Sequence, residues 1–168
     1  MPNIFLIADT HFGHAGVTKF LRADGTKLRP WDDVAEMDEA LVENWNSVVS
    51  PNDKVYHLGD VIINRKAFST LQRLKGEKVL IKGNHDVFKA AEYLRYFKDI
   101  RSCHPLSGML LSHIPIHESS LSRWSANVHG HTHANVVMNG AYPDERYKCV
   151  SVEHIDYTPI SLEELKGC

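Results

Sequence analysis

Apolar residues fall into short runs along the chain: "NIFLIA" (3–8), "KVYHL" (54–58), "KVLI" (78–81), "GMLLS" (108–112), "ANVH" (126–129) and "YKCVSV" (147–152). Each has strand length and is rich in branched side chains. Between some of them the spacing shifts to three and four. Val34, Met37, Leu41, Trp45 and Val48 make one stripe and predict a helix. Asp33 with Glu36 resembles a capping box ahead of it. Ala67, Leu71 and Leu74 predict a shorter helix, and Tyr93, Leu94 and Phe97 a third that starts after Asp86. Strand and helix alternate, which predicts an α/β domain. Further on, "NVVMNGAYPDERYKCVSV" predicts two strands around a turn containing Gly140 and Pro143, and Ser161 is the expected N-cap of a short last helix. No repeat, low-complexity tract or linker interrupts the pattern, so residues 1–168 are expected to form a single domain. One connection is long: residues 13–32 join the first strand to the first helix, which marks a functional loop.

Bulk composition narrows the class. The chain of 168 residues is 43% hydrophobic and 24% charged, in the range of soluble globular proteins. Its 19 basic and 21 acidic residues leave a net charge of −2, which gives no electrostatic reason to wrap nucleic acid or lie on a membrane. No apolar run approaches the ~20 residues of a membrane span. The first apolar run lacks a basic start and meets an aspartate early, unlike a signal peptide. Three cysteines, Cys103, Cys149 and Cys168, form no C-x-x-C pair, and an odd number fits a reducing compartment. The expected location is the cytoplasm.

The unusual number is eleven histidines. Three stand at alternate positions in "NVHGHTH" (127–133): His129, His131 and His133. If that stretch is extended, the three imidazoles share one face. A metal site and a solvated polar strand face both fit the row alone. The ends of the other strand-like runs decide. Asp9 and His11 follow the first, Asp60 the second, Asn84, His85 and Asp86 the third, and His113 the fourth. Ligands of α/β sheets bind beyond the carboxyl ends of strands, and here five such ends in succession carry oxygen or nitrogen donors.

With "DTH" (9–11), "GD" (59–60), "GNHD" (83–86), "SH" (112–113) and "GHTH" (130–133) in that order, the chain resembles the calcineurin-like metallophosphoesterases over residues 3 to 155. The likeness extends to small bacterial and phage members through "DTHFGH" and "VYHLGD". The resemblance implies an αββα sandwich, two mixed sheets flanked by helices. It implies that Asp9, His11, Asp60 and His133 hold one metal, and that Asp60, Asn84, His113 and His131 hold a second. His85 would then be proton donor to the leaving group or a stabiliser of the transition state, with Asp86 set down as catalytic beside it and its contact open.

Such a site suits phosphate hydrolysis. Two metals about 3.5–4 Å apart turn a bound water into an attacking hydroxide and hold the oxygens of an in-line displacement. Two divalent ions against Asp9, Asp60 and one hydroxide leave a surplus of about +1, which favours an incoming phosphate. The donors are nitrogen and oxygen without sulfur, which permits Mn, Fe, Co, Ni or catalytic Zn, with Mn placed first. The expected enzyme is a metal-dependent phosphomonoesterase or phosphodiesterase for small phosphate esters, nucleotides or cyclic nucleotides leading. The expected substrate contacts are His14, Arg29, Trp31 and His117. Trp31 could equally staple the helix start. His57 and His129 stay without a role.

Protein phosphatases of this superfamily carry G-D-x-x-D-R-G, where this chain reads "GDVIINR" (59–65), which argues against folded phosphoproteins as substrates. Two rivals come from other classes. One is a catalytically inactive scaffold of the same fold that binds protein partners; the filled His85 position argues against it. The other is a cupin-like metal protein, which is all-β and conflicts with the 34–48 stripe.

Overall fold

The computed structural model describes residues 1–167; Cys168 lies outside the described residues. Two mixed sheets face each other. The first has the order β11-β1-β2-β3-β4, built from β1 (Ile4–Ile7), β2 (Lys54–His57), β3 (Glu77–Ile81) and β4 (Asp99–Arg101) in parallel, with β11 (Ile160–Ser161) antiparallel at one edge. The second has the order β10-β7-β6-β5. Here β6 (Met109–Ser112), β7 (Asn127–His129) and β10 (Tyr147–Cys149) run parallel, and β5 (Cys103–Leu106) is antiparallel.

The strands of the first sheet read as continuous apolar runs because both their faces are covered. Leu6, Ala8, Tyr56, Leu58, Val79 and Ile81 point inward and meet Met109, Leu111, Val128 and Val150 of the second sheet. Phe5, Ile7, Val55 and Leu80 point outward, against Met37, Leu41, Val42 and Trp45 of helix α1 (Val34–Val48). The predicted stripe is therefore the docking face of α1. Asp33 caps the helix by accepting the Ala35 and Glu36 amides at 2.8 and 3.0 Å. The segment after His113 covers the outer face of the second sheet: Asn127 accepts the Ile116 amide, and the Tyr147 hydroxyl donates to the Ile116 carbonyl.

Several elements depart from the sequence pattern. The second stripe is a 3-10 turn (Arg65–Ala67) running into a single turn, α2 (Phe68–Leu71), and Leu74 is buried beyond it. The third helix is also one turn, α3 (Ala90–Tyr93), because β4 begins at Asp99 and leaves no length for more. The hairpin β8 (Met138–Asn139) and β9 (Tyr142–Pro143) turns at Gly140 and Ala141, with Pro143 inside the second strand. Tyr147–Cys149 does not join that hairpin but pairs with β7. Ser161 does cap the last helix, α4 (Leu162–Gly167), in a reciprocal pair with Glu164.

The sheets meet at one corner. The Ala8 amide donates to Val150 and the Val152 amide returns to Ala8, joining the end of β1 to the end of β10. The carboxyl ends of β1, β2, β3, β6 and β7 thus gather along one rim.

Candidate active site

The ends of three of these strands, β1, β2 and β7, turn abruptly. Asp9, His11, Asp60, His131 and His133 all have φ between 49° and 68°, in the left-handed region that L-residues avoid. They are five of the eight non-glycine residues so placed among those described. Each such conformation costs on the order of 1–3 kcal/mol and marks a site where geometry is held for use. Glycines make room for the turns. At Gly130 a Cβ would lie 2.5 Å from the Asp9 Oδ2 and from the Ala8 side chain, and a Cβ at Gly83 would overlap the Asp60 carboxylate.

Two groups of side chains form there whose donor atoms lie close enough to hold a metal ion. One is Asp9, His11 and His133, the other Asp60, His113 and His131, the atoms of each within 4.8 Å of one another. A single oxygen, Asp60 Oδ2, faces both: it is 3.7 Å from His11 Nε2 and 3.5 Å from His113 Nε2. Asp9 Oδ1 and both ring nitrogens of His11 are buried without any hydrogen-bond partner, an arrangement native proteins avoid unless a ligand completes it. His113 donates from Nδ1 to the Leu58 carbonyl at 2.7 Å, which turns its Nε2 toward Asn84 Oδ1 at 2.9 Å and the Asp60 carboxylate. Three acceptors converge there, and a cation between them reconciles the geometry. The donor set fits divalent metal.

The surroundings tune these groups. Burial pushes the Asp9 carboxyl up to about 6, although Ser151 and the His131 amide both donate to its Oδ2. Burial works against the Asp60 charge too, but the His113 ring and the His85 amide outweigh it and hold that carboxyl at about 2. Burial likewise disfavours charge on His113 and His133, and their carboxylate neighbours Asp60 and Glu153 more than offset it and raise both.

Beneath the donors lies a supporting layer, in which Glu153 is the residue the sequence pattern did not reveal. Glu153, fully buried, accepts from His133 Nδ1 at 3.1 Å and from Arg29 Nε at 2.9 Å. That contact leaves His133 Nε2 to face the site, the usual arrangement for a metal-binding imidazole. Arg29 also donates to the backbone carbonyls of Thr10 and Asp9. His57 is buried between strand and turn. Thr10 donates its hydroxyl to Val61 and so accepts from His57 Nε2, while His57 Nδ1 accepts the Gly59 amide. Asp86 accepts the Asp60, Val61 and Gly83 amides at 2.8–2.9 Å.

Asp9, His11, Asp60, Asn84, His113, His131 and His133 come together, with the His85 ring 5.7 Å and the His14 ring 5.5 Å from that of His11. The other residues named from the sequence are engaged as follows. Arg29 is only 1% exposed, its guanidinium engaged beneath the site by Glu153 and the Thr10 and Asp9 carbonyls. Asp86 is 1% exposed and braces the Asp60 turn through the Asp60, Val61 and Gly83 amides. Trp31 packs edge-on against Tyr157 at 4.8 Å as part of the core boundary. His117 caps the 3-10 helix Glu118–Arg123 through Ser119. The row of three histidines breaks at the strand end. His129 stays on the outer face of β7 and donates to the Gly130 carbonyl at 2.8 Å, while the left-handed turns carry His131 and His133 into the site.

Fold and donor set together define a metallophosphoesterase. The chain belongs to the calcineurin-like phosphoesterase family, whose family model matches residues 2–155. It is 38% identical over 173 residues to the uncharacterized protein MJ1445 of Methanocaldococcus jannaschii, spanning 97% of this chain and 89% of that one. It is 27% identical to the Gene 66 protein of Mycobacterium phage L5, over 83% of this chain and 81% of that one. Among solved structures it is similar to a protein of unknown function, AQ665 from Aquifex aeolicus, with a TM-score of 0.65, 27% identity and 99% of each chain covered. An archaeal phosphodiesterase shares the fold, with a TM-score of 0.51 at 16% identity over 89% and 82% of the two chains.

Proposed function

We propose that this single-domain chain is a dinuclear, metal-dependent phosphohydrolase acting on small phosphate mono- or diesters in the cytoplasm. The observation that carries the reading is the Asp60 Oδ2 atom facing two Asp/His groups at once, beside buried donor atoms with no other partner. Asp9, His11, Asp60 and His133 would hold one metal and Asp60, Asn84, His113 and His131 the other, manganese being the first ion to test. Bound divalent metals supply Lewis acidity, activating a water and neutralising phosphate charge. The chain's own residues do the rest. Glu153 and the Leu58 carbonyl fix the tautomers of His133 and His113. The His85 backbone amide braces the Asp60 carboxylate, which leaves its exposed ring to meet the ester and give a proton to the departing oxygen. No helix among the described residues is long and apolar enough to cross a membrane.

Hydrolysis of p-nitrophenyl phosphate and bis(p-nitrophenyl) phosphate with and without added Mn²⁺ tests this. Metal-dependent turnover of either ester is expected, and their ratio gives the monoester or diester preference. No turnover of either with any of Mn, Fe, Co, Ni or Zn would leave the scaffold reading in its place.

A further inference from the structure

The metal groups do not stand alone on the rim. His131 and His133 form one end of a cleft of about 740 Å³, whose far wall is the loop segment from Phe20 to Leu28. A bare phosphate needs little of that volume, whereas pockets of about 300–1,000 Å³ suit organic ligands. The wall is built rather than loose. The Leu28 amide donates to the Phe20 carbonyl at 2.8 Å, the Arg22 amide to Thr26 at 2.7 Å, and Asp24 binds both the amide and the hydroxyl of Thr26. Phe20 is 47% exposed and Leu21 63%, two adjacent large apolar side chains that both line the cleft. The Phe20 ring is also oriented: it stands edge-on to His14 at 5.8 Å, and His14 in turn packs beside His11.

The polar groups of the cleft are few and balanced. Arg22 and Asp24 oppose one another in charge, so the cleft does not ask for a second anion. Asn135 adds an amide able to read the edge of a heterocycle. An apolar platform, a neutral surround and an edge-reading amide next to a phosphate-sized metal site describe one ligand chemistry.

We infer that this cleft is the leaving-group subsite and that it takes the nucleoside half of a nucleotide ester, its base lying on Phe20 and Leu21. This rests on the proposed function and adds the substrate class. It puts base recognition eleven residues before Trp31, one of the expected substrate contacts.

The test is binding to the manganese-loaded protein by titration calorimetry, with adenosine 5′-monophosphate, ribose 5-phosphate and inorganic phosphate as probes. Base stacking on an aromatic side chain predicts that the nucleotide binds about ten-fold more tightly than the sugar phosphate. Phe20→Ala should bring that ratio toward one, Leu21→Ser should lower it less, and neither should change phosphate binding. Both side chains are exposed, so either substitution carries the test if the other perturbs folding. A wild-type ratio near one, no binding of either ester, or a ratio that survives both substitutions overturns the assignment. Failure of the hydrolytic reading shows separately, as no metal-dependent turnover of either p-nitrophenyl phosphate or bis(p-nitrophenyl) phosphate while the binding ratio persists.

Discussion

His57 offers a quantitative test of how the Asp60 turn is held. Its ring is fully buried, stacked near Trp45 at 6.3 Å, and both nitrogens are committed, Nε2 as donor to Thr10 and Nδ1 as acceptor from Gly59. A proton on Nδ1 would oppose the Gly59 amide in a fully buried position. Burial accordingly pushes His57 down to about 3 from an ordinary 6.5. The folded pKa is depressed, so the unfolded chain binds a proton below pH 6.5 that the folded chain refuses until about pH 3. The stabilisation is therefore full above pH 6.5 and declines as pH falls toward 3, at about 1.4 kcal/mol per pH unit. Between pH 7 and pH 5 this one group removes about 2 kcal/mol. Other histidines contribute with both signs, His11 and His129 lowered by burial, His113 and His133 raised, so the total slope does not isolate it. The difference between wild type and His57→Gln does. Urea unfolding of both at pH 7 and pH 5, in excess EDTA so that metal release does not enter, should show the wild type losing about 2 kcal/mol more than the variant. The comparison is of slopes, so a lower baseline in the variant is immaterial. Parallel losses would refute the argument and mean that the folded ring accepts its proton near the ordinary value.

Asp60→Asn removes the carboxylate oxygen that faces both donor groups and should empty both metal positions; elemental analysis retaining one full equivalent would contradict bridging. His85→Ala touches no donor atom and should keep its metals while kcat falls by ~10²–10⁴-fold, less for p-nitrophenyl than for alkyl esters. Equal losses on the two leaving groups would assign His85 to charge stabilisation instead of proton donation. Glu153→Gln should weaken metal binding by ~10–100-fold through His133 and lower stability, because Arg29 stays buried without its carboxylate. An unchanged binding isotherm would remove Glu153 from the site's support.

What the chain disclosed in advance follows from distance along it. Asp9, Asp60, Asn84, His113 and His131 each lie next to a strand-like run, so local pattern and chemistry coincide and both are legible. The α1 stripe is legible for the same reason, since a helix face is written in consecutive residues. Arg29 and Glu153 are separated by 124 residues and each resembles an ordinary surface charge; only the closing of β1 onto β10 buries them together. Edge strands β4, β5 and β11 escaped because edges are short and half polar, "DIR" and "CHPL" among them. The alternation of the three histidines could not by itself separate His129 from His131 and His133, because it presumes extended backbone and the strand ends at His129.

The corner where Ala8 meets Val150 and Val152 has a consequence for biosynthesis. The donor groups draw on positions from Asp9 to His133, and their supports, Ser151 and Glu153, emerge from the ribosome later still. A nascent chain that has completed β1, β2 and β3 holds Asp9, His11 and Asp60 but neither His131 nor His133. A complete donor set for a divalent ion therefore requires both sheets to have closed first, so capture of the proposed metals would follow folding of the sandwich and could not template its first strands.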